Sequence, residues 1–486
     1  MLFQDVIYTN KGDLMKTECT KSYSTFQALG RREIVADFNG GTISSDGGGC
    51  LLLREIEQRT GILQRFTECF VDHRDKRRIE HSVLSLVSQR VIGLALGYED
   101  LNDHDHLAKD QMLAIAVGKT DPTGMDRKSE KDKGKPLAGK STLNRLELTP
   151  SSANSNSPYK KIVLTPESVD NLFVDVFIES HTEIPTEIIL DVDATDDPLH
   201  GNQEGKFFHG YYKAYCYLPL YIFCGEHLLC ARLRTAKNDA AAGTVEEVER
   251  IIERIRVVWP DTRIIIRGDS GFCREDIMRW CEDNDVDFLL GLAKNNRLAV
   301  EIEEELALAK ALYQCSGEAS RVFKDFCYKT LTTWRWNRRV VGKAEHLGKG
   351  SNPRFVVTSL RPELHDAQDL YEKVYCGRGD MENRIKEQQL MLFAARTSTK
   401  KMQSNQVRLY FSSLAYVLMQ ALRRLGLVGT EMAKAQCNTI RLKLFKIGGR
   451  IKITVRKVWV SFAEGYPYRR IFLQLFRNIE KIPIVT

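Results

Sequence analysis

Between Phe26 and His181 the apolar positions are spaced mainly for helices, and from Glu187 they change to the unbroken runs and alternations of strands. His81 to Gly97 carries Val83, Leu84, Val87, Val91 and Leu94 at helical spacing and stops at a glycine, a usual C-terminal signal. Leu107 to Val117 reads as a second helix, and Leu51 to Glu57 opens another. Ile34 to Phe38 reads as a short strand and Ser44 to Gly49 as a glycine-rich turn. Thr165 followed by Pro166 is an N-cap and a first helical residue, which predicts a helix running to His181.

Glu187 to Asp193 (EIILDVD) is an apolar strand run, Tyr211 to Phe223 is aromatic and β-prone, and Leu228 to Leu233 is a third run after Gly225-Glu226-His227. Gly243 to Trp259 is a helix with Val245, Val248, Ile251, Ile252 and Ile255 on one stripe. Arg263 to Arg267 is a strand, Arg274 to Asn284 a helix, and Val286 to Leu292 a strand. Three strands joined by short turns suggest an antiparallel meander, and the two helical crossovers suggest parallel additions. The fold class expected is therefore α/β, with a mixed sheet in the order of the ribonuclease H-like fold. Ser320 to Leu360 is rich in aromatic and β-branched residues and reads as an inserted β-rich module. Asp380 to Arg396 and Leu409 to Leu425 return to helical spacing.

A chain of 486 residues exceeds the roughly 250–300 at which single cores stop growing, so several structural units are expected. They are a flexible arm (1–25), a mainly helical N-terminal DNA-binding region (26–150), a linker and connecting helix (151–185), the first part of the core (186–295), the β-rich insertion (296–365), the second part of the core (366–430) and a basic C-terminal region (431–486). The several short N-terminal helices suit a helix-turn-helix-like DNA reader, and equally any small helical bundle.

Charge sharpens this picture. The net charge of +7 is modest, but Lys434 to Thr486 holds twelve Lys or Arg against Glu464 and Glu480. Such a tail suits phosphate-backbone binding, where neutralised phosphates release counterions. The twelve cysteines, from Cys19 to Cys437, form no C-x-x-C pair, which argues against a zinc ribbon and suggests reduced thiols. No run approaches the length of a membrane span and the first residues lack a signal core, so the expectation is a cytoplasmic protein, associated with the nucleoid when on DNA, with no membrane partner.

Candidate chemistry rests on carboxylates. Asp193 ends the first strand and Asp269 lies just past the fourth, each followed by turn residues, so neighbouring strands would project both from one sheet edge. Glu382 lies near the start of a later helix, with Lys386 one turn on and Arg378 before it, both placed to reach a phosphate. Oxygen ligands of this kind suit Mg2+ or Mn2+, and two ions can activate a nucleophile and stabilise a leaving oxygen in phosphoryl transfer. Asp191, Asp196 and Asp197 compete with Asp193, and Asp191 shares its face.

With these residues in view, the chain resembles a DDE transposase of bacterial insertion sequences, in the group-1 branch related to the piggyBac transposases. The blocks that carry the resemblance are LDVDATDDPLHG (190–201), IIIRGDSGFC (264–273), RRVVGKAEHLGKGSNPRFVVTSL (338–360) and YCGRGDMENRIKEQQ (375–389), with DFNGGTISSDGG (37–48) and PLAGKSTLNRLE (136–147). The resemblance implies Asp193, Asp269 and Glu382 as metal ligands, two ions per site, and cleavage at terminal inverted repeats followed by joining to target DNA. It also implies a homodimer on double-stranded DNA. The family's Tyr-x2-Arg-x3-Glu-x6-Lys signature is met by Tyr375, Arg378 and Glu382 but has Gln389 in its last place, which leaves Lys386 as the substitute. In some relatives an insertion Trp stacks on a flipped base, a role open to Trp334 or Trp336 beside Arg338 and Arg339.

Gly134 to Ser141 satisfies the P-loop pattern, but a charged connector precedes it where a strand is required, so Lys140 is assigned to DNA phosphates and no nucleotide is expected. Asp103-His104-Asp105-His106 reads as a polar turn. A silent transposase-derived DNA-binding protein and a nuclease without joining activity are the alternative readings.

Overall fold

The computed structural model describes residues 47–484 together with the backbone of Tyr23–Leu29, Arg32–Asp37 and Ile43–Ser44. Most of the expected arm lies outside the described residues. The chain is mixed α/β, built on one nine-stranded sheet. Its strands are β1 (Glu187–Ala194), β2 (Leu220–Cys224), β3 (His227–Arg232), β4 (Arg263–Gly268), β5 (Asp287–Leu292), β6 (Ser320–Tyr328), β7 (Arg338–Leu347) and β8 (Arg354–Thr358), with the short strand Gly350–Ser351 on β7. The spatial order is β3-β2-β1-β4-β5-β8-β7-β6. β2 is antiparallel to β1 and β3, while β1, β4 and β5 run parallel.

Both faces of the central strands are covered, which is why they read as unbroken apolar runs. On one face Leu190, Val192, Ile264, Ile266, Phe288 and Leu290 meet Val248, Ile251, Ile252 and Ile255 of the helix Thr244–Val258 and Ile277, Met278 and Cys281 of Glu275–Asp283. On the other, Ile265 and Leu289 pack on Val356, Leu370 and Tyr371. Burial of each such side chain contributes about 1.5–3 kcal/mol.

The segment expected as an inserted module opens with the helices Asn296–Glu301 and Glu303–Ser316, and its strands extend the main sheet, because β8 pairs antiparallel with β5. The stretch Tyr211–Phe223 is divided: Ala214–Tyr217 joins a separate small sheet with Asp197–Pro198 and Phe207–His209, and β2 begins only after Pro219. Proline has no backbone N–H to donate to a strand ladder.

N-terminal helices share a core with the helix Met402–Ala421, which is buried along nearly its whole length. Val83–Leu96 is N-capped by Ser82 and closed by Gly97 at φ 98°. The expected helix from Leu107 is two helices, Asp103–Leu107 and Gln111–Val117, the second capped by Asp110. Met402–Ala421 starts earlier than its apolar pattern because its first turns carry polar residues satisfied internally: Gln406 accepts from the Leu233 N–H (2.6 Å) and donates to the Ala231 carbonyl (2.9 Å), closing the exposed edge of β3. No helix among the described residues is long and apolar enough to cross a membrane.

Buried charge ties the regions together. Glu147, fully buried, accepts from Arg90 (2.7 Å) and from Arg408 (2.8 Å), linking the helix Lys140–Glu147 to Val83–Leu96 and to Met402–Ala421. Glu147→Ala strands two arginines, one of them almost wholly buried; a loss of ~3–5 kcal/mol is expected, read from urea unfolding of the full chain.

Candidate active site

Register places the first two carboxylates. Gly268 of β4 lies opposite Val192 of β1, so Asp269 falls level with Asp193 at the C-terminal edge of two parallel neighbours. Side chains alternate along a strand, so Val192 and Gly268 share one face and Asp193 and Asp269 share the other. A Cβ on Gly268 would approach the Val192 side chain to 2.8 Å, which keeps the two strands close at this level. Each carboxylate is oriented by a backbone N–H, Asp193 by Ala194 (2.9 Å) and Asp269 by Gly271 (2.8 Å).

The third carboxylate comes from a helical stretch that begins at Ala367, earlier than the spacing from Asp380 suggests, and runs to Met391. Its middle, Gly379–Lys386, is α-helical, and it is flanked by wider i→i+5 turns at Leu370–Tyr375 and Glu387–Met391. Such turns occur frequently at functional sites. The stretch crosses the sheet close enough that a Cβ on Gly291 would meet the Tyr375 hydroxyl at 2.5 Å.

Arg378 closes the centre by donating to Asp193 (3.2 Å) and to Glu382 (3.0 Å). Burial pushes the Asp193 carboxyl up to about 6, with Asp269 and Glu382 adding to the shift and Arg378 and the Ala194 N–H opposing it. Burial alone disfavours the Arg378 guanidinium, but Asp193, Tyr375, Asp269 and Glu382 outweigh it and raise its pKa. The three carboxylates therefore share one electrostatic neighbourhood. The donor chemistry, all carboxylate oxygen, fits a hard cation. Among the described residues no group of three His, Cys, Asp or Glu stands ready as a metal cage. Arg378 occupies one oxygen each of Asp193 and Glu382, so a cation shared by them would compete with it.

Asp191 is committed elsewhere, in a two-pronged pair with Arg267 at 2.5 and 2.7 Å. Arg267 also donates to the Val374 carbonyl, fastening the helical stretch to β4. Asp197 is buried, and burial raises its carboxyl to about 8. Lys386 is exposed with no ion pair among the described residues, one turn from Glu382, whereas Gln389 donates to the Asp196 carbonyl (3.0 Å).

Other candidates are engaged internally. Trp334 is 5% exposed and packs edge-on against Tyr328, and Trp336 donates to Glu282 (2.9 Å). Arg338 is held by Glu275 and Glu282, and Arg339 by Asp325 and two carbonyls. Lys140 pairs with Asp105 (3.1 Å), and no strand precedes it where a P-loop requires one; Glu130–Asp132 is a single helical turn.

Sequence reading missed Lys294 and Arg354. With Asp269, Tyr375 and Arg378 they line a cavity of about 280 Å3 beside the carboxylates, and neither forms an ion pair among the described residues. A signal for Lys294 was present, since it follows β5 at the same sheet edge as Asp269. A larger cavity, about 670 Å3, lies behind the Asp191–Arg267 pair and away from the edge where Asp193, Asp269 and Glu382 meet.

Two carboxylates at the C-terminal edge of parallel strands, a third joined to one of them through Arg378, and the cations Lys294, Arg354 and Lys386, which form no ion pair among the described residues, make up this site. A family model described as "Transposase DDE domain group 1" matches residues 26–484, and the chain belongs to that family. No curated protein matches the chain.

Because the folded Asp193 holds its proton to about pH 6 against an ordinary 3.8, its contribution to stability is complete below pH 3.8 and is lost as pH rises through 6. Without divalent cation, Asp193→Asn is expected to gain roughly 2–3 kcal/mol at pH 7 and nothing near pH 3.8, as read from urea midpoints across pH.

Proposed function

We propose that this chain is a cut-and-paste DNA transposase that cleaves at the terminal inverted repeats of its element and joins the ends to target DNA. Asp193, Asp269 and Glu382 are its catalytic carboxylates. The observation that carries this reading is that Asp193 and Asp269 lie level at one sheet edge, on strands ordered β3-β2-β1-β4-β5, the order of a ribonuclease H-like core, with Glu382 linked to Asp193 through Arg378. Family membership supports it.

Asp193, Asp269 and Glu382 would hold two Mg2+ or Mn2+ ions, which supply activation of a nucleophile and stabilisation of the leaving oxygen. The protein's own residues do the rest. Lys294, Arg354 and Lys386 attract and seat the phosphate backbone around the acidic centre. Arg378, released from Asp193 and Glu382, is within reach of the same phosphate and replaces carboxylate contacts by phosphate ones. Asp193 must be ionised to serve as a ligand, so a cation competes with its proton and binds less tightly as pH falls through about 6. The basic segment from Lys434 adds non-specific backbone affinity, and paired ends call for two copies of the chain.

Cleavage of labelled DNA from the flanks of this gene, with Mg2+ or Mn2+, is the test. Asp193→Ala, Asp269→Ala and Glu382→Ala are each expected to lower cleavage and joining by roughly 10²-fold or more, as removal of a preorganised charge-stabilising group does. Wild-type rates in these variants would remove the assignment, and end binding without cleavage would identify a silent DNA-binding protein.

A further inference from the structure

We propose that the aromatic hairpin between β1 and β2 is a stacking platform for unpaired nucleotides of the DNA substrate, with Phe208, Tyr215 and Tyr211 as the surfaces that take the bases. The proposal rests on the reading of Asp193, Asp269 and Glu382 as a DNA-cutting centre.

The hairpin pairs Phe207–His209 with Ala214–Tyr217, and its register sets Phe208 directly opposite Tyr215. Their rings stand 5.4 Å apart, edge to face, and remain 49% and 52% exposed. Tyr211, in the turn, is 83% exposed and touches Tyr212 edge-on at 5.0 Å. Large rings left side by side in water make a contiguous apolar patch, the kind of surface that marks an interaction site. Here the other side of the small sheet is the packed one: Cys216, Leu218 and Ala236 form a cluster joined by Tyr212, Ala240 and Ala194.

That packing fixes where the rings sit. Ala194 directly follows Asp193, and Ala240 lies beside Gly271, whose N–H holds Asp269. After burial, the charges of Asp196, Asp193 and Asp269 are what raise the Tyr212 hydroxyl. The hairpin therefore stands at the rim of the carboxylate edge.

Charge names the occupant. Lys206 lies over the Tyr215 ring at 5.2 Å while donating to the Gly201 carbonyl and to Asn202, and Lys213 and Lys237 are exposed and form no ion pair among the described residues. Glu204, the acid of the hairpin arm, is turned to Lys401 and the start of the helix Met402–Ala421. Aromatic faces interleaved with unpaired lysines match the alternation of base and phosphate in a single strand, where every base offers a face and every link a negative charge. The tryptophans of the chain that might have served, Trp334 and Trp336, are packed or bonded on another part of the sheet.

The test compares full-length protein on two fluorescent DNAs of arbitrary sequence: a blunt duplex, and the same duplex with a short 3′ oligothymidine tail containing 2-aminopurine. The tail is expected to tighten binding by roughly tenfold, the scale of one or two base–aromatic stacks, and 2-aminopurine emission should be quenched. The double substitution Phe208→Ala with Tyr215→Ala should bring the ratio of the two affinities towards one and abolish the quench. Phe208→Tyr with Tyr215→Phe, which keeps both rings, should retain both effects and shows that the ring is what matters. Equal affinity of the wild-type chain for both DNAs, or an undiminished ratio in the double alanine variant, overturns the platform. Metal-dependent cleavage measured on the same proteins separates the two claims. Tail preference without cleavage counts against the transposase reading of the carboxylates, and cleavage without tail preference counts against the hairpin alone.

Discussion

Parallel pairing of Glu187–Ala194 with Arg263–Gly268 sets everything else at the acidic centre. Because side chains alternate along both strands, a slip of one residue would turn Asp193 into the apolar layer of Val248 and Ile252 and bring Val192 to the carboxylate side. Burial enforces the register: Leu190, Val192, Ile264 and Ile266 have no alternative face on which to be covered. Asp191 and Arg267 enforce it again, since they lie opposite each other in that register and form a two-pronged ion pair. Arg267 reaches on to the Val374 carbonyl, and so the same register determines where Arg378 and Glu382 are held above the sheet edge.

Around this centre, buried arginines join segments that are far apart in sequence. Arg423 reaches Glu387 at 2.8 Å with both side chains almost fully buried, which anchors the end of the Glu382 helical stretch to the turn after Met402–Ala421. Arg441 donates to the carbonyls of Ala95 and Leu94 at the end of Val83–Leu96 and to that of Met391, closing a helix terminus and the Glu382 stretch with one side chain. Gly49 fits only because it lacks a Cβ, which would collide with the Leu444 carbonyl. The N-terminal region, the sheet and the basic C-terminal region are thus interlocked. Isolated buried pairs of this kind contribute little net stability over apolar contacts, but removing one partner is costly, and that asymmetry holds the parts to one arrangement.

Local order was legible where one residue's neighbours decide its state. The apolar runs of β1, β4 and β5, the stripe from Val248 to Ile255, the Gly97 end of the helix read from His81 and the six family blocks could all be read directly. What could not be read depended on distant partners. The strands from Ser320 to Thr358 look like a module of their own until the pairing of Leu289 with Thr358 is known. The early start of Met402–Ala421 is hidden because Gln406 and Arg408 look like surface residues but satisfy a strand edge and a buried glutamate. Arg338 and Trp336 looked available for DNA because their basic and aromatic character is visible, whereas Glu275 and Glu282, which hold them, lie on a helix well before them in the chain. In the site, Asp191 and Asp193 share a face by spacing; strand-end position and the family block favoured Asp193, and in the structure Asp191 is taken up by Arg267.

Arg378 gives the acidic centre a stable state in the absence of a cation. Three carboxylates converging in a half-buried edge would repel one another, and desolvation would add to that cost. With its guanidinium between Asp193 and Glu382, the charge is partly neutralised by a group tethered on the same helical turn as Glu382. An ion arriving at the centre competes with Arg378 for two ligands, and a phosphate arriving with it offers Arg378 a replacement. The two exchanges are complementary: cation binding frees the arginine, and the freed arginine favours the phosphate. Under the proposed function, the Tyr375-to-Glu382 segment would couple acceptance of metal to acceptance of DNA through the i,i+4 spacing of Arg378 and Glu382.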